Sequence, residues 1–226
     1  MNKTLFAIAA IAALAAPQIA AAQDSGNWII RARAVDLLSS NTNNGTLKAT
    51  LDAATTLTNA TVSINDKWLP EVDISYFFTP NLAAELILTY PQKQSVYADF
   101  NGGSAKIGSF KHLPPTLTAQ YHFTDLPGFR PYVGAGVNYT YIDSVKITVP
   151  GAVATGGSDI GLNLTRHSFG LAAQLGADIP VGGGWLVNLD AKYVQIGTDI
   201  KLTDGTKVGK FNVDPWLLSV GFGKRF

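Results

Sequence analysis

The chain closes on a two-residue rhythm. From Trp216 to Phe226 it reads Trp-Leu-Leu-Ser-Val-Gly-Phe-Gly-Lys-Arg-Phe. One alternating set is Trp216, Leu218, Val220, Phe222, Lys224 and Phe226; the other is Leu217, Ser219, Gly221, Gly223 and Arg225. A strand sends successive side chains to opposite faces, so this segment has one oily face and one small or polar face. Eleven residues suffice for a tilted strand to cross a bilayer, which takes about 9–11. Aromatic residues at both ends of the oily face fit two interfacial girdles. The last strand of a soluble sandwich is the competing reading of this stretch alone.

The N-terminus points to export. Met1 to Thr4 is short and basic, Leu5 to Ala16 is an Ala-rich apolar run, Pro17 breaks it, and Ala20 to Ala22 supplies small residues. This is the pattern of a secretory signal peptide over residues 1–22, cut before Gln23. The apolar run is shorter than the ~20 residues of a spanning helix.

Composition narrows the rest. Charged residues make up 15%, below the roughly 25% of a typical soluble domain, and the formal net charge is +1. No basic stripe for a phosphate backbone is present, so nucleic acid is not an expected partner. With no cysteine, disulfides and thiolate metal sites are excluded. An exported chain that is 46% hydrophobic and has no later spanning run is a soluble β protein or a closed barrel in the outer membrane. Residues 23–226 are expected to form one domain.

Alternation recurs along the chain. Strands are expected at about Asn27 to Val35, Lys67 to Phe78, Leu82 to Tyr90, Leu113 to Phe123, Tyr132 to Ile142, Leu162 to Asp178, Trp185 to Thr198 and Val213 to Phe226. Between them, Leu37 to Asp66 reads as a loop with a short helix near Thr50 to Leu57, and Pro91 to Lys111 as a long polar loop. Asp143 to Gly161 reads as a Gly-rich loop and Thr198 to Lys210 as the last one. Connections thus alternate long and short, as in outer-membrane barrels with short periplasmic turns and long extracellular loops. Trp28, Trp68, Tyr90, Phe123, Tyr141, Trp185 and Phe226 fall at strand ends. The expected fold is all-β: an eight-stranded antiparallel transmembrane β-barrel.

The rhythm also sorts the charges. Arg31, Arg33, Arg166 and Lys192, with Glu71, Asp73, Glu85, Asp178 and Asp190, fall on the side opposite the oily set. Arg or Lys on the lipid face costs about 2–4 kcal/mol at the midplane, so these residues are expected in the lumen. They form either a structural salt-bridge plug or the lining of a conduit. Ile87 and Leu217 are apolar yet inward, so part of the lumen is expected to be greasy. Pro91 ends the third expected strand, and Pro114 and Pro115 open the fourth. Proline donates no backbone hydrogen bond. These prolines either just terminate strands or unzip the seam into a lateral window.

Four stretches resemble the OmpW family of outer-membrane proteins: Lys111 to Phe123, Arg130 to Thr140, Trp185 to Leu189, and Val213 to Leu217 with the terminal Phe226. The resemblance covers essentially the whole mature chain. It implies an eight-stranded barrel in the bacterial outer membrane with a hydrophobic passage. It also implies passive uptake of small hydrophobic molecules, alkanes in one branch, by lateral diffusion. Members constrict the lumen with bulky apolar side chains, and Ile87 fits that pattern. Lys192 departs from it, standing where an apolar gate residue is expected.

The functional expectation is uptake of small hydrophobic solutes, released sideways near the third and fourth strands. The alternative is a structural or receptor barrel whose loops are docking surfaces. The expected partners are outer-membrane lipid and apolar solutes, with the protein a monomer. No cofactor or metal is expected. An enzyme is not expected either: His112, His122 and His167 are scattered, and none has a convincing nucleophile at hand.

Overall fold

The computed structural model describes residues 26–54, 59–101, 103–149 and 159–226. Residues 1–22, the expected signal peptide, lie outside them. In chain order the elements are β1 (Trp28–Leu38), β2 (Thr42–Asn43), α1 (Gly45–Ala54), β3 (Thr61–Ile64), β4 (Lys67–Phe77), β5 (Leu82–Thr89), β6 (Gln92–Phe100), β7 (Gly103–Leu113), β8 (Thr116–His122), β9 (Arg130–Val149), β10 (Ile160–Leu164), β11 (His167–Gly182), β12 (Trp185–Val194), β13 (Gly197–Leu202), β14 (Lys207–Asn212) and β15 (Trp216–Arg225).

Eight of these strands close the barrel, in the order β1, β4, β5, β8, β9, β11, β12, β15. Closure comes from β15 pairing antiparallel with β1 over ten positions, Ile29 with Arg225 through Leu38 with Trp216. Trp28 and Phe226 exchange backbone hydrogen bonds at 3.2 and 2.9 Å. A closed ladder leaves no edge, the condition for β structure in lipid. The alternation is kept throughout: β1 runs Trp28 out, Ile29 in, Ile30 out, Arg31 in. Where neighbouring strands approach closely, glycine is required: a Cβ on Gly136 of β9 would lie 2.0 Å from the backbone carbonyl oxygen of Leu117 on β8.

The outer connections differ from the sequence reading. Pro91 to Lys111 is not an open loop but the hairpin β6–β7, paired from Gln92 with His112 to Phe100 with Gly103. The strand β9 runs on to Val149, and β10, β13, β14 and β2 extend the wall. The helix lies earlier than expected, at Gly45–Ala54, and residues 55–57 of the expected helix lie outside the described residues. The physical reason is an apolar core above the membrane. Val62, Ile64, Val96, Ile107, Phe110, Ile142, Ile147, Leu162, Ile200 and Phe211 pack together there. Single apolar residues in Asn-, Thr- and Gly-rich stretches look like loop in sequence, but many stretches together supply one core.

Candidate functional site: the lumen

The lumen is stacked in four storeys. At the periplasmic mouth Ile29, Phe77, Ala83 and Leu186 form an apolar floor. His122 lies between Phe77 and Tyr132 in tilted ring contacts, with centroids at 4.8 and 4.7 Å.

Above it lies a charged plug. Arg31 reaches across the barrel to Asp178 with a forked contact, Nε to Oδ1 at 3.1 Å and Nη2 to Oδ2 at 2.6 Å. Its Nη1 donates to Glu85 at 2.8 Å and to Ser75 at 2.6 Å. Arg33 lies among Asp73 (3.0 Å), Glu71 (3.4 Å), Glu85 (3.4 Å) and Asp190 (3.6 Å). Lys192 pairs with Glu71 and, at 3.3 Å, with Asp190. All eight charged residues are buried, and so is Ser75. Buried charges are costly unless paired and hydrogen-bonded, and neutral side chains supply part of the hydrogen bonding here. Gln174 donates to Glu85 and Asp190 at 2.9 and 2.8 Å and accepts from Thr118 and Gln120. Tyr132 donates to Asp190 at 2.8 Å and accepts from Arg33 and Asn188.

Arg166 is a correction. It does not join the plug but lies exposed at the bend between β10 and β11. The long sixth strand of the sequence reading is two strands, and the break at Thr165–Arg166 takes the side chain off the barrel's inward register. Tyr132, by contrast, went unassigned in the sequence although it is fully buried in the plug. Its place at the edge of a run of outward Val and Ala hid it. The inward alternation with Gly134 and Gly136 was the available signal.

The third storey is apolar. Leu37, Leu69, Ile87, Val194, Ile196 and Leu217 line a cavity whose floor is Glu71 and Lys192. Ile87 and Lys192 are buried, and Leu217 is half-buried. In this conformation the cavity is about 30 Å³, room for only a few water molecules. Lys192 therefore sits beneath the apolar constriction, held down by Glu71 and Asp190, rather than blocking it. Gln92, Thr89 and His112 close the chamber from above, below the outer apolar core. His112 is buried beside Lys67 at the membrane's outer edge, and both burial and that charge push its imidazole down to about 4. It is neutral at ordinary pH.

The prolines border the same chamber. Pairing of β5 with β8 runs from Leu82–Tyr121 up to Ile87–Thr116 and stops. It resumes only at Gln92–His112, between β6 and β7. Between these points Leu88 to Pro91 faces Leu113 to Pro115 with no ladder pairing. Asn138 of β9 holds the second segment from the other side, donating to the Pro114 and Pro115 carbonyls at 3.3 and 3.2 Å and to Thr116 at 2.8 Å. Pro114 lines the chamber itself.

Outside, Ile30, Val72, Leu86, Leu117, Val137, Leu171, Leu175 and Val220 are exposed in a band. Trp28, Phe78, Phe123 and Trp185 ring one end of it, and Trp68, Tyr90 and Trp216 the other. Oily outside, ionic inside and closed on itself, this is a transmembrane barrel of the bacterial outer membrane. The OmpW family model matches residues 24–226, and the chain belongs to that family. It is 30% identical to outer membrane protein W of Vibrio cholerae over the full length of both chains. It is 37% identical to an uncharacterised outer-membrane protein of Sinorhizobium fredii, covering 96% of this chain and 90% of that one. The crystal structure of OprG from Pseudomonas aeruginosa superposes with a TM-score of 0.66, at 24% identity, covering 90% of this chain and 97% of that one.

Proposed function

We propose that the barrel takes up small hydrophobic molecules passively and releases them sideways into the membrane through the seam of Leu88 to Pro91 against Leu113 to Pro115. What carries the reading is that the break in strand pairing borders the apolar chamber. A solute in that chamber has two ways on. Downward it meets the charged plug, where displacing one partner of a buried pair costs about 3–5 kcal/mol. Sideways it meets two short segments with no ladder hydrogen bonds between them, bounded by proline. The lower-energy route leads to lipid, where an apolar solute is most soluble. Ile87 and Leu217 form the constriction, with the ion-paired Lys192 beneath it. Opening a cavity of about 30 Å³ requires these side chains and the seam to move together.

One chain closes the barrel, so the proposed unit is a monomer. The test is the uptake rate of an apolar tracer in cells with and without the protein. Faster uptake with it is expected, and equal rates overturn the proposal.

A further inference from the structure

The upper wall of the chamber carries polar atoms that an apolar cargo would leave stranded. Among the described residues, Gln92 Oε1, His112 Nε2 and Thr89 Oγ1 are buried without a hydrogen-bond partner, and all three residues line the cavity. Gln92 is 0% exposed and His112 6%. One turn of the alternation higher on β6, Gln94 has both amide atoms unpartnered. Buried polar groups are almost always satisfied, so three neighbouring exceptions around one cavity, with a fourth at Gln94 above it, ask for an occupant. The amide of Gln92 is not free to turn: its Nε2 donates to the Tyr90 carbonyl at 3.0 Å. The oxygen is thereby fixed as an acceptor.

We propose that the chamber recognises a neutral hydroxyl on an otherwise apolar solute, so that the preferred cargo is a medium-chain or aromatic alcohol rather than a bare hydrocarbon. This rests on the uptake reading above. A hydroxyl donates to Gln92 Oε1 and accepts from Thr89 or His112, which a hydrocarbon cannot do and an ether does only in part. A carboxylate or an ammonium would be desolvated there without a free counter-charge, because Glu71 and Lys192 of the same cavity are paired with each other. The tail lies along Leu69, Ile87 and Leu217, and the seam beside Pro114 is its way out.

The experiment compares 1-decanol with n-decane. Uptake of each is measured in cells carrying the full-length protein, its Gln92→Met/His112→Phe double variant, or none. Folding of the variant is checked by heat-modifiable gel mobility. The expected result is a protein-dependent preference for decanol over decane, and that uptake ratio falls roughly tenfold in the double variant. Equal protein-dependent uptake of the two compounds in the wild type leaves the uptake reading standing and overturns the hydroxyl. No protein-dependent uptake of either overturns both. As an independent readout, decanol added to the protein in micelles is expected to shift the Gln92 side-chain amide and His112 ring NMR signals, whereas decane does not. Signals unmoved by saturating decanol overturn the proposal even if the variant fails to fold.

Discussion

Arg31 and Asp178 lie 147 residues apart in the chain and meet in a two-point fork across the barrel axis. Arg31 leaves β1 and Asp178 leaves β11, which is not a neighbour of β1 in the barrel wall. The plug is therefore a cross-brace that ties opposite walls. Removing one partner strands the other charge in a dry interior. Asp178→Asn is expected to cost about 3–5 kcal/mol, read from the urea midpoint of unfolding in lipid vesicles. The Arg31→Met/Asp178→Leu pair is expected to recover much of that loss, because neither charge is then left alone.

The constriction can be altered by volume. Ile87→Trp adds bulk to a cavity of about 30 Å³ and is expected to reduce tracer uptake several-fold. Ile87→Ala widens it and is expected to raise uptake, at a stability cost of about 2–4 kcal/mol. Uptake that ignores both changes would place the solute path away from Ile87.

The seam can be locked. The chain has no cysteine of its own, so Thr89→Cys with Pro114→Cys introduces the only thiols. Both positions border the chamber, one on each side of the pairing gap. The oxidised double variant is expected to lose uptake and the reduced form to regain it. A bridged barrel that still imports tracer would rule out this exit.

His112 gives a pH signature outside the spanning strands. Its folded imidazole is held down to about 4 by burial beside Lys67, whereas the unfolded side chain titrates near 6.5. Between these values the unfolded state binds the extra proton. The stability present above pH ~6.5 is thus lost as pH falls toward ~4. By pH 4.5 the loss from this group is on the order of 2–3 kcal/mol. His112→Phe is expected to flatten that part of the stability profile, measured as urea midpoints at pH 7.5 and 4.5.

Tyr132 and Arg166 mark two limits of reading the chain by period. Arg166 keeps the inward parity only if Leu162 to Asp178 is one unbroken strand, and a bend at Thr165–Arg166 removes it. Tyr132 sits at a strand entrance, where phase is hard to assign from a few residues. The chamber's upper wall was harder still. Gln92, Gln94 and His112 lie in a stretch that looks like polar loop, and its strand character depends on pairing β6 with β7 and then with β3 and β9.

The sequence by itself determined the barrel and the lumen's charges. The strand period is local, and lipid outside against a closed axis inside gives each side chain one tolerable face. Which carboxylate braces which arginine, where the ladder breaks, and which buried amide lacks a partner were decided only by the tertiary structure. Those facts depend on how strands distant in the chain are staggered when the sheet closes, and no local pattern carries that stagger.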